Sequence, residues 1–530
     1  MHDDEDDSHG DPGHMMRVPL PARLTPLANE LGFVPLYGDI HNHCDLSYGH
    51  GRFEDALKRA ALQLDFLSIT GHAHWPDMPV DDPTVAHIVA FHVEGFARLR
   101  ANWPNHYAAL SRADRHGFVV FPGYEIHSAE FGDYTIVYRD LVPAPLLLAD
   151  SPAELRRMIE GRMRGRAFAF PHHIGYRVGA RGIDWDAFDD VLSPFVEMNS
   201  MHGCAEASET DRGYLHSMGP VDGCGTMQYG LAAGHVFGIV GNTDHHSGFP
   251  GSYGHGRMGI YATGRDRAAI WEAMLARRTN ALTGDNIHLL AALGSDIQGS
   301  IVAPSYDARL RIEAVAGGFI DCIDVLRNGR LVDRISPEIT PAPVSDSLET
   351  VLYLELGWGA RGRSHRWEGC VTVDGGEILG VEPRFRGAEI VSPLEGDDAG
   401  HALPVVTWDA GELSFTVTAE ANPNNATTAT QGLALRMALT RTTMIRAVLS
   451  GQVIEIPASR LLEGAKSGNL GAIDTPAWRF HQMPMPAQWQ WSGEVRLGRW
   501  SVGENVYIRL RQTGGQMAWT SPIFCRAGND

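Results

Sequence analysis

Lysine is nearly missing from this chain: of 44 basic residues only Lys58 and Lys466 are lysines, and the others are arginines. A metal bridge built on a modified lysine in the middle of a domain therefore has no residue to use. Cysteine is sparse too, at six (Cys44, Cys204, Cys224, Cys322, Cys370 and Cys525), with no CxxC pair and no dense spacing. That excludes a disulfide framework or a zinc ribbon. No apolar run is long enough to span a bilayer, and Met1 to Met16 is acidic and His-rich without an apolar core, so no signal peptide is read. The expectation is a cytoplasmic protein without a membrane partner. Positive charge is also short, 44 basic residues against 64 acidic ones for a net charge of -20. Such a chain repels phosphate backbones and anionic lipid, so no nucleic-acid partner is expected, and an anionic substrate needs a local positive centre such as bound metal. At 530 residues the chain has room for two or three domains, and a homo-oligomer is compatible with it.

Histidine is abundant instead, and it is unevenly placed. Of 25 histidines, only His288, His365, His401 and His481 lie beyond residue 255. From about Leu36 to Asp285 short apolar runs alternate with helical patterns, whereas the remainder alternates at period two and is rich in Gly, Pro and Thr. Phe53 to Leu64 places Leu57, Ala60, Ala61 and Leu64 on one helical face, and Asp266 stands where it can cap the next helix. Seven runs read as strands: Leu36 to Ile40, Phe66 to Thr70, Val119 to Ile126, Thr135 to Tyr138, Ala167 to Phe170, Phe195 to Asn199 and Val236 to Val240. Seven is a barrel-sized number, and parallel strands linked by helices present function at their C-terminal ends. The expected organisation is a disordered acidic leader over 1–30, an α/β barrel over 31–287 with a loop insertion at 203–234 suited to an active-site lid, and a β-rich, sandwich-like region over 288–530. Eight of the twelve tryptophans fall in that last region, where packing is the expected role.

Six of the seven runs carry or lead to a metal-competent side chain. The first leads to His41 and His43, with Asp45 and His50 beyond; the second to His72 and His74; the third carries Glu125 and then His127. Later runs lead to His172 and His173, to Glu197 and His202, and to Asp244, His245 and His246. Imidazole with carboxylate is the ligand set of zinc, manganese or iron, and alternation along an extended chain turns His41 and His43 to the same side. A carboxylate such as Glu125 can bridge two cations. A multinuclear site is expected.

The succession HNH, ITGH, GYEIH, FPHH and NTDHH resembles the PHP (polymerase and histidinol phosphatase) superfamily, and more closely a bacterial PHP-like family, through GDIHNHCDLSYG, FVEMNSMHG with Glu206 and Glu209 following, GIVGNTDHHSGFPG, ARRTNALTG and YIRLRQTGGQMAWTSPIF. The resemblance implies a distorted seven-stranded β/α barrel followed by a β-rich C-terminal domain. It implies two or three divalent ions: His41, His43, Glu125 and Asp244 around one, Glu125 and His172 around a second, and His50, His72 and His246 around a third. The chain departs from the pattern in three places. Gly71 stands where an Asp usually precedes the second-motif histidine, His50 is one residue late, and the histidine expected on the strand after Glu125 is replaced by GDYTIVY, with Asp133 as the available substitute.

The expected function is a metal-dependent hydrolase, foremost a phosphoesterase that uses a metal-bound hydroxide on a small or medium anionic phosphate ester. His202 and His245 are the candidates for acid or base, and Arg177 and Arg181 for a bidentate clamp on an anionic group. PHP-type metals acting on an amide, ester or glycoside, and a catalytically silent PHP-like binding module, are the alternatives. The amidohydrolase alternative lacks its bridging lysine.

Overall fold

A computed structural model describes residues 18–337, 347–388, 402–420 and 429–527. All seven apolar runs form strands: β1 (Val34–Asp39), β2 (Phe66–His74), β3 (Val119–Ile126), β4 (Tyr134–Tyr138), β5 (Ala167–Pro171), β6 (Phe195–Ser200) and, after a short β7 (Gly203–Cys204), β8 (Gly238–Gly241). Two more follow, β9 (Arg257–Ala262) and β10 (Thr279–Leu282). The helices up to β10 are α1 (Pro26–Glu30), α2 (Phe53–Gln63), α3 (Ala86–Ala113), α4 (Pro152–Arg162), α5 (Met227–Ala232) and α6 (Arg267–Leu275). Asp266 caps α6, accepting from the amides of Ala268 and Ala269.

Strand directions depart from an all-parallel barrel. β1, β2 and β3 are parallel, as are β6 and β8, but β4 runs antiparallel to both β3 and β5, and β9 antiparallel to β1. Only residues 127–133 join β3 to β4, too short a link for the crossover that a parallel pair needs. The strands lie in an open mixed sheet from β5 through β1 to β10 and beyond, with β7, β6 and β8 forming a separate small sheet, so hydrogen bonds do not close a seven-stranded barrel. Where β6 would have to join β5, the Ala169 amide of β5 donates to Leu192, a residue outside any strand. The two sheets nevertheless share one core. Leu36, Phe66, Phe121, Val137, Phe168 and Phe170 from the large sheet pack with Phe195 and Val240 from the small one, under Ile270, Trp271 and Met274 of α6. Alternate residues of β2 and β3, including Leu67, Ile69, Val120 and Tyr124, pack on their other face with α2 and α3. Burial on both faces explains why these strands read as continuous apolar runs.

The chain divides into two compact units, one of Pro19–Ala342, Arg384–Gly400 and Pro484–Asp530, the other of Met1–Val18, Pro343–Pro383 and His401–Met483. The β-rich region expected from residue 288 is thus shared between them. In the first unit the strands Asn505–Gln512, Met517–Thr520 and Ile523–Cys525 extend the same sheet that contains β1. The second unit is built on an antiparallel sheet whose central members are Leu348–Gly357, His365–Arg384 and Gln431–Leu449. Five of the eight late tryptophans, Trp367, Trp478, Trp489, Trp500 and Trp519, are buried, whereas Trp358 is exposed. Of the leader expected over 1–30, residues 1–17 lie outside the described ones. Residues 26–30 are ordered as α1, because buried Glu313 accepts from the amides of Leu27 at 2.7 Å and Ala28 at 3.2 Å, filling donors that a helix start leaves open. No helix among the described residues is long and apolar enough to cross a membrane.

Buried Glu206 ties the start of the 203–234 segment to the C-terminal strands: it accepts from Tyr507 Oη at 2.8 Å, Trp519 Nε1 at 2.8 Å and Arg509 Nη1 at 3.1 Å. Replacing Glu206 by Ala strands two donors and part of a buried charge, so a loss of about 3 kcal/mol is expected from the urea midpoint and slope. A second prediction concerns His106, buried on α3 between Trp103 and Phe53, with Nδ1 donating to the Trp103 carbonyl at 2.9 Å. Burial pushes this imidazole down to about 4. The unfolded chain takes up the proton near pH 6.5 and the folded chain does not, so this contribution is complete above about 6.5 and is lost as pH falls towards 4. Roughly 3 kcal/mol of acid-linked destabilisation follows, and His106→Phe is expected to remove that share when unfolding curves are compared across the window.

Candidate metal centre

The strand ends that carry the metal-competent residues are held together by the backbone of the loops that follow. Asp244 donates its amide to the His41 carbonyl at 2.8 Å, His43 returns one to His245 at 2.8 Å, and His50 donates to His246 at 2.7 Å. Buried Asp39 at the end of β1 joins the same two loops, accepting from the amides of His41 (3.2 Å), Thr243 (3.2 Å) and Gly251 (2.9 Å) and from the Thr243 hydroxyl. Asn242 links a third element: its Oδ1 accepts from the Ile40 amide at 2.9 Å while its Nδ2 donates to Glu197 at 3.0 Å. On the other flank His127 donates its amide to the His74 carbonyl at 2.8 Å, and His172 donates to Asp133 at 3.1 Å.

Glu125 lies at the centre, 2% exposed, and its two oxygens serve different neighbours. Oε2 is 3.2 Å from His41 Nε2, 3.3 Å from His43 Nε2 and 3.7 Å from His72 Nε2; Oε1 is 3.1 Å from His127 Nδ1 and 3.2 Å from His172 Nε2. Asp244 Oδ1 is 3.0 Å from His43 Nε2 and 3.4 Å from His41 Nε2, and its Oδ2 is 2.8 Å from His202 Nε2. Asp133 Oδ2 reaches His127 Nδ1 at 2.9 Å and His173 Nε2 at 3.2 Å. The buried donor groups that could hold an ion include His41–His43–Asp244, His41–Glu125–His172, His43–His72–His246, His72–Glu125–His127 and Asp133–His172–His173.

These spacings suit cations. Two donors about 2.1 Å from one ion stand roughly 3 to 3.4 Å apart at octahedral or tetrahedral angles, the range seen around Glu125. The rings are also set as ligands are set, with one nitrogen fixed from outside and the other turned in. Nδ1 of His41 meets Glu197 at 2.7 Å, that of His72 meets Ser47 Oγ at 3.0 Å, and that of His172 meets Thr135 Oγ1 at 3.0 Å. Buried ring nitrogens His43 Nδ1, His127 Nε2 and His173 Nδ1 have no hydrogen-bond partner among the described residues, an arrangement that a purely structural polar core avoids.

The charge pattern points the same way. Burial alone would neutralise Glu125, Asp133 and Asp244, yet the surrounding imidazoles, and Arg181 beside Asp133, hold all three carboxyls well below the usual carboxylate range. Burial, with neighbouring imidazoles adding to it, pushes His172 and His173 down to about 4 and holds His72 and His246 well below the ordinary value. His41 is the exception: burial opposes its charge, but Asp244 and Glu197 overcome that and hold the ring well above its ordinary pKa. Ionised carboxylates facing mostly neutral imidazoles are the protonation state in which N/O donors bind a metal. Backbone strain is present here as well, with positive φ at His173 (31°), Asp244 (51°) and Arg181 (69°), conformations that each cost on the order of 1–3 kcal/mol.

Of the residues singled out from sequence, His41, His43, His72, Glu125, His172, Asp244 and His246 come together. His50 is drawn alongside through its backbone bond to His246. His202 joins them by its contact with Asp244, its Nδ1 meeting Tyr176 Oη at 2.6 Å. His245 packs its ring against His255, 5.3 Å between centroids, and receives the Ser247 amide on Nδ1 at 3.2 Å. The arginine clamp is not formed: Arg177 is exposed, and Arg181 directs its fork at Asp133, with Nε at 2.8 Å and Nη2 closer still, while its guanidinium lies 5.2 Å from the Trp75 ring. Asp133, His127, His173 and Glu197 are central, though sequence reading ranked none of them with the main ligands. The signal for Asp133 was the vacant histidine position before β4, for His127 and His173 their place one and two residues past the ends of β3 and β5, and for Glu197 its place within β6.

No protein-family model and no curated protein matches the sequence. Among solved structures, a two-domain protein from Bacteroides vulgatus ATCC 8482 containing a predicted PHP-like metal-dependent phosphoesterase is 16% identical over 56% of this chain and 79% of its own, with a TM-score of 0.32. PsfC from Pseudomonas syringae PB-5123 is 19% identical over 43% of this chain and 82% of its own, with a TM-score of 0.27. Likenesses this loose carry no argument about the chemistry, which rests on the residues themselves.

Proposed function

We propose that the chain is a PHP-type metal-dependent hydrolase whose leading reaction is hydrolysis of a small or medium anionic phosphate ester. The observation that carries this reading is the division of Glu125, one oxygen facing His41, His43 and His72 and the other His127 and His172. A carboxylate so divided suits a bridge between two cation sites. His41, His43 and Asp244 would hold one ion and His172, with Asp133 and His173 close by, the other; His72, stacked on His43, and His246, tilted against it, would be donors for a third. Divalent ions of the zinc, manganese or iron class, when bound, supply Lewis-acid polarisation of a substrate oxygen and acidify water near neutral pH.

The chain's own residues do the rest. Glu197, Ser47 and Thr135 keep the inward nitrogens aimed, and Asp39 and Asn242 keep the loops in register. Arg181 balances the Asp133 charge from the rim. His202, tied between Asp244 and the Tyr176 hydroxyl, is positioned to hand a proton to a leaving group or take one from an incoming nucleophile, a role worth about 10²- to 10⁴-fold in rate.

Two substitutions test the assignment on the full chain. Glu125→Gln is expected to lose bound metal, measured by elemental analysis of the purified protein, together with all turnover of a phosphomonoester panel; wild-type metal content and rate in that variant would overturn the bridge. His202→Ala is expected to keep its metal and lose about a hundredfold or more in kcat. Metal lost with His202 would make it a ligand. Turnover confined to amides, glycosides or carboxylic esters in the metal-loaded protein would keep the metallohydrolase and replace the phosphoester.

A further inference from the structure

Arg181 reaches further into the donor cluster than a clamp on a substrate would. Its Nε donates to Asp133 Oδ2 at 2.8 Å, and its Nη2 touches the same oxygen and His127 Nδ1 and lies 3.9 Å from Glu125 Oε1. Those three atoms are neighbours in their own right, His127 Nδ1 being 2.9 Å from Asp133 Oδ2 and 3.1 Å from Glu125 Oε1. One edge of a guanidinium therefore stands where a cation would find its ligands.

The oxygen it takes is the one an ion needs. Asp133 Oδ1 accepts from the Ser128 amide at 3.0 Å, and Oδ2 is the atom turned towards His173 Nε2 at 3.2 Å and His172 Nε2 at 3.9 Å. A guanidinium and a divalent ion on one carboxylate oxygen divide its charge and repel each other. The opposite flank is different. Asp244 meets only imidazoles, those of His41, His43, His202 and His246, so its charge stays available.

The arginine is also built into place. Its amide donates to the Ala129 carbonyl at 3.2 Å with φ at 69°, and Gly182 follows so tightly that a Cβ there would stand 1.8 Å from the Tyr176 carbonyl oxygen. The turn that receives that amide is pinned in its own right by Asp77, which accepts from the amides of Ala129 and Glu130, both at 2.9 Å, and from Ser128 Oγ at 3.1 Å. Met218 Sδ lies 3.4 Å from Nη1 on the outer edge of the guanidinium.

We propose that Arg181 is a resident cation of the metal centre, which takes the Asp133 charge in place of a divalent ion and leaves the ion on the His172 flank of Glu125 weakly held and exchangeable. The His41–His43–Asp244 flank keeps its ion, whereas the other fills according to the free metal around the protein. Arg181 thus sets how many ions the chain carries. The inference rests on the metal-binding half of the hydrolase reading and not on the reaction.

The test uses Mn²⁺, titrated into the metal-free full chain with the free ion read by electron paramagnetic resonance. The wild type is expected to show a tight class and a weaker one, and Arg181→Met to strengthen the weaker class about tenfold or more, because the Asp133 oxygen turns from guanidinium to ion. A double variant, Asp133→Asn with Arg181→Met, removes the pair without changing the net charge and is expected to stay within about threefold of the wild type. Unchanged or weakened binding in Arg181→Met would overturn the proposal. So would a larger shift in the double variant, since Asp133 would then act on the ion in the wild type despite its arginine. If the wild type binds in one class only, an ion gained in Arg181→Met supports the proposal and no gain overturns it. Mn²⁺ binding unaltered in Glu125→Gln would remove the metal centre and this inference with it, whereas binding as expected without turnover of any phosphomonoester would keep the inference and remove the reaction. Should Arg181→Met lose its circular dichroism signature, the charge-balanced double variant carries the test.

Discussion

Burying a carboxylate among imidazoles is the constraint on which the site-bearing unit turns. Glu125, Asp133, Glu197 and Asp244 are each almost wholly withdrawn from water, and Asp39 lies just behind them. Each ionised group so placed costs several kcal/mol unless something of opposite sign meets it. The fixed positive charge at hand is Arg181, which is given to Asp133. His41 supplies another by keeping a proton against its own burial. His72, His172, His173 and His246 are held below the ordinary imidazole pKa by burial, with neighbouring imidazoles adding to it, and rings such as Tyr48 and His72, stacked at 3.6 Å, leave little room to hydrate a cationic ring. A donor set with more negative charge than its own cations balance favours divalent ions on electrostatic grounds, before any catalytic argument is made.

That arrangement needs loops that do not relax. The backbone bonds between the His41–His43 and Asp244–His246 segments act as a short ladder above the strand ends, and Asp39 holds both sides of it. Positive φ at Asp244 and His173 is tolerated because the neighbouring contacts leave those residues no alternative. Below the loops, aromatic and aliphatic residues from two sheets form one core, so the strands converge even though no hydrogen-bond ladder runs around them. Convergence of strand ends requires a shared core, and closure of the ladder is a separate matter.

How much of this could be read from the sequence follows from what each feature depends on. Strand positions were legible because burial on both faces leaves uninterrupted apolar runs, and the main ligands because they follow those runs directly. Direction was not. β4 reads like its neighbours, and what reverses it is the brevity of the 127–133 link, so a parallel barrel was expected where the sheet is mixed. Arg181 was legible as a charge near the site but not as the partner of Asp133, since a positive φ that turns its side chain inward leaves no trace in residue type. The late strands 505–512 and 517–520 alternate like any sandwich strand; what brings them into the site-bearing unit is the contact of Tyr507, Arg509 and Trp519 with Glu206, some three hundred positions away in the chain.

The same contact bears on what the 203–234 segment does. Its length and glycines suggested a lid, but a lid must leave its seat. Here Glu206 is buried against three donors, the Tyr214 hydroxyl accepts from the Gly175 amide at 3.1 Å, and Asp222 donates its amide to the Gly175 carbonyl at 2.7 Å. Opening would break a buried ion pair and expose the Tyr214 ring, which packs 4.8 Å from Tyr176, the residue that holds His202. His216 rides on the same segment and stacks on His202 at 4.2 Å, and burial followed by the His202 charge pushes it down to about 3, so an uncharged ring backs the proposed acid. A segment fastened at Glu206, Tyr214 and Asp222, and carrying a ring against His202, is built as a fixed wall. In the hydrolase we propose, selection among substrates falls to the shape of that wall rather than to closure over whatever has bound.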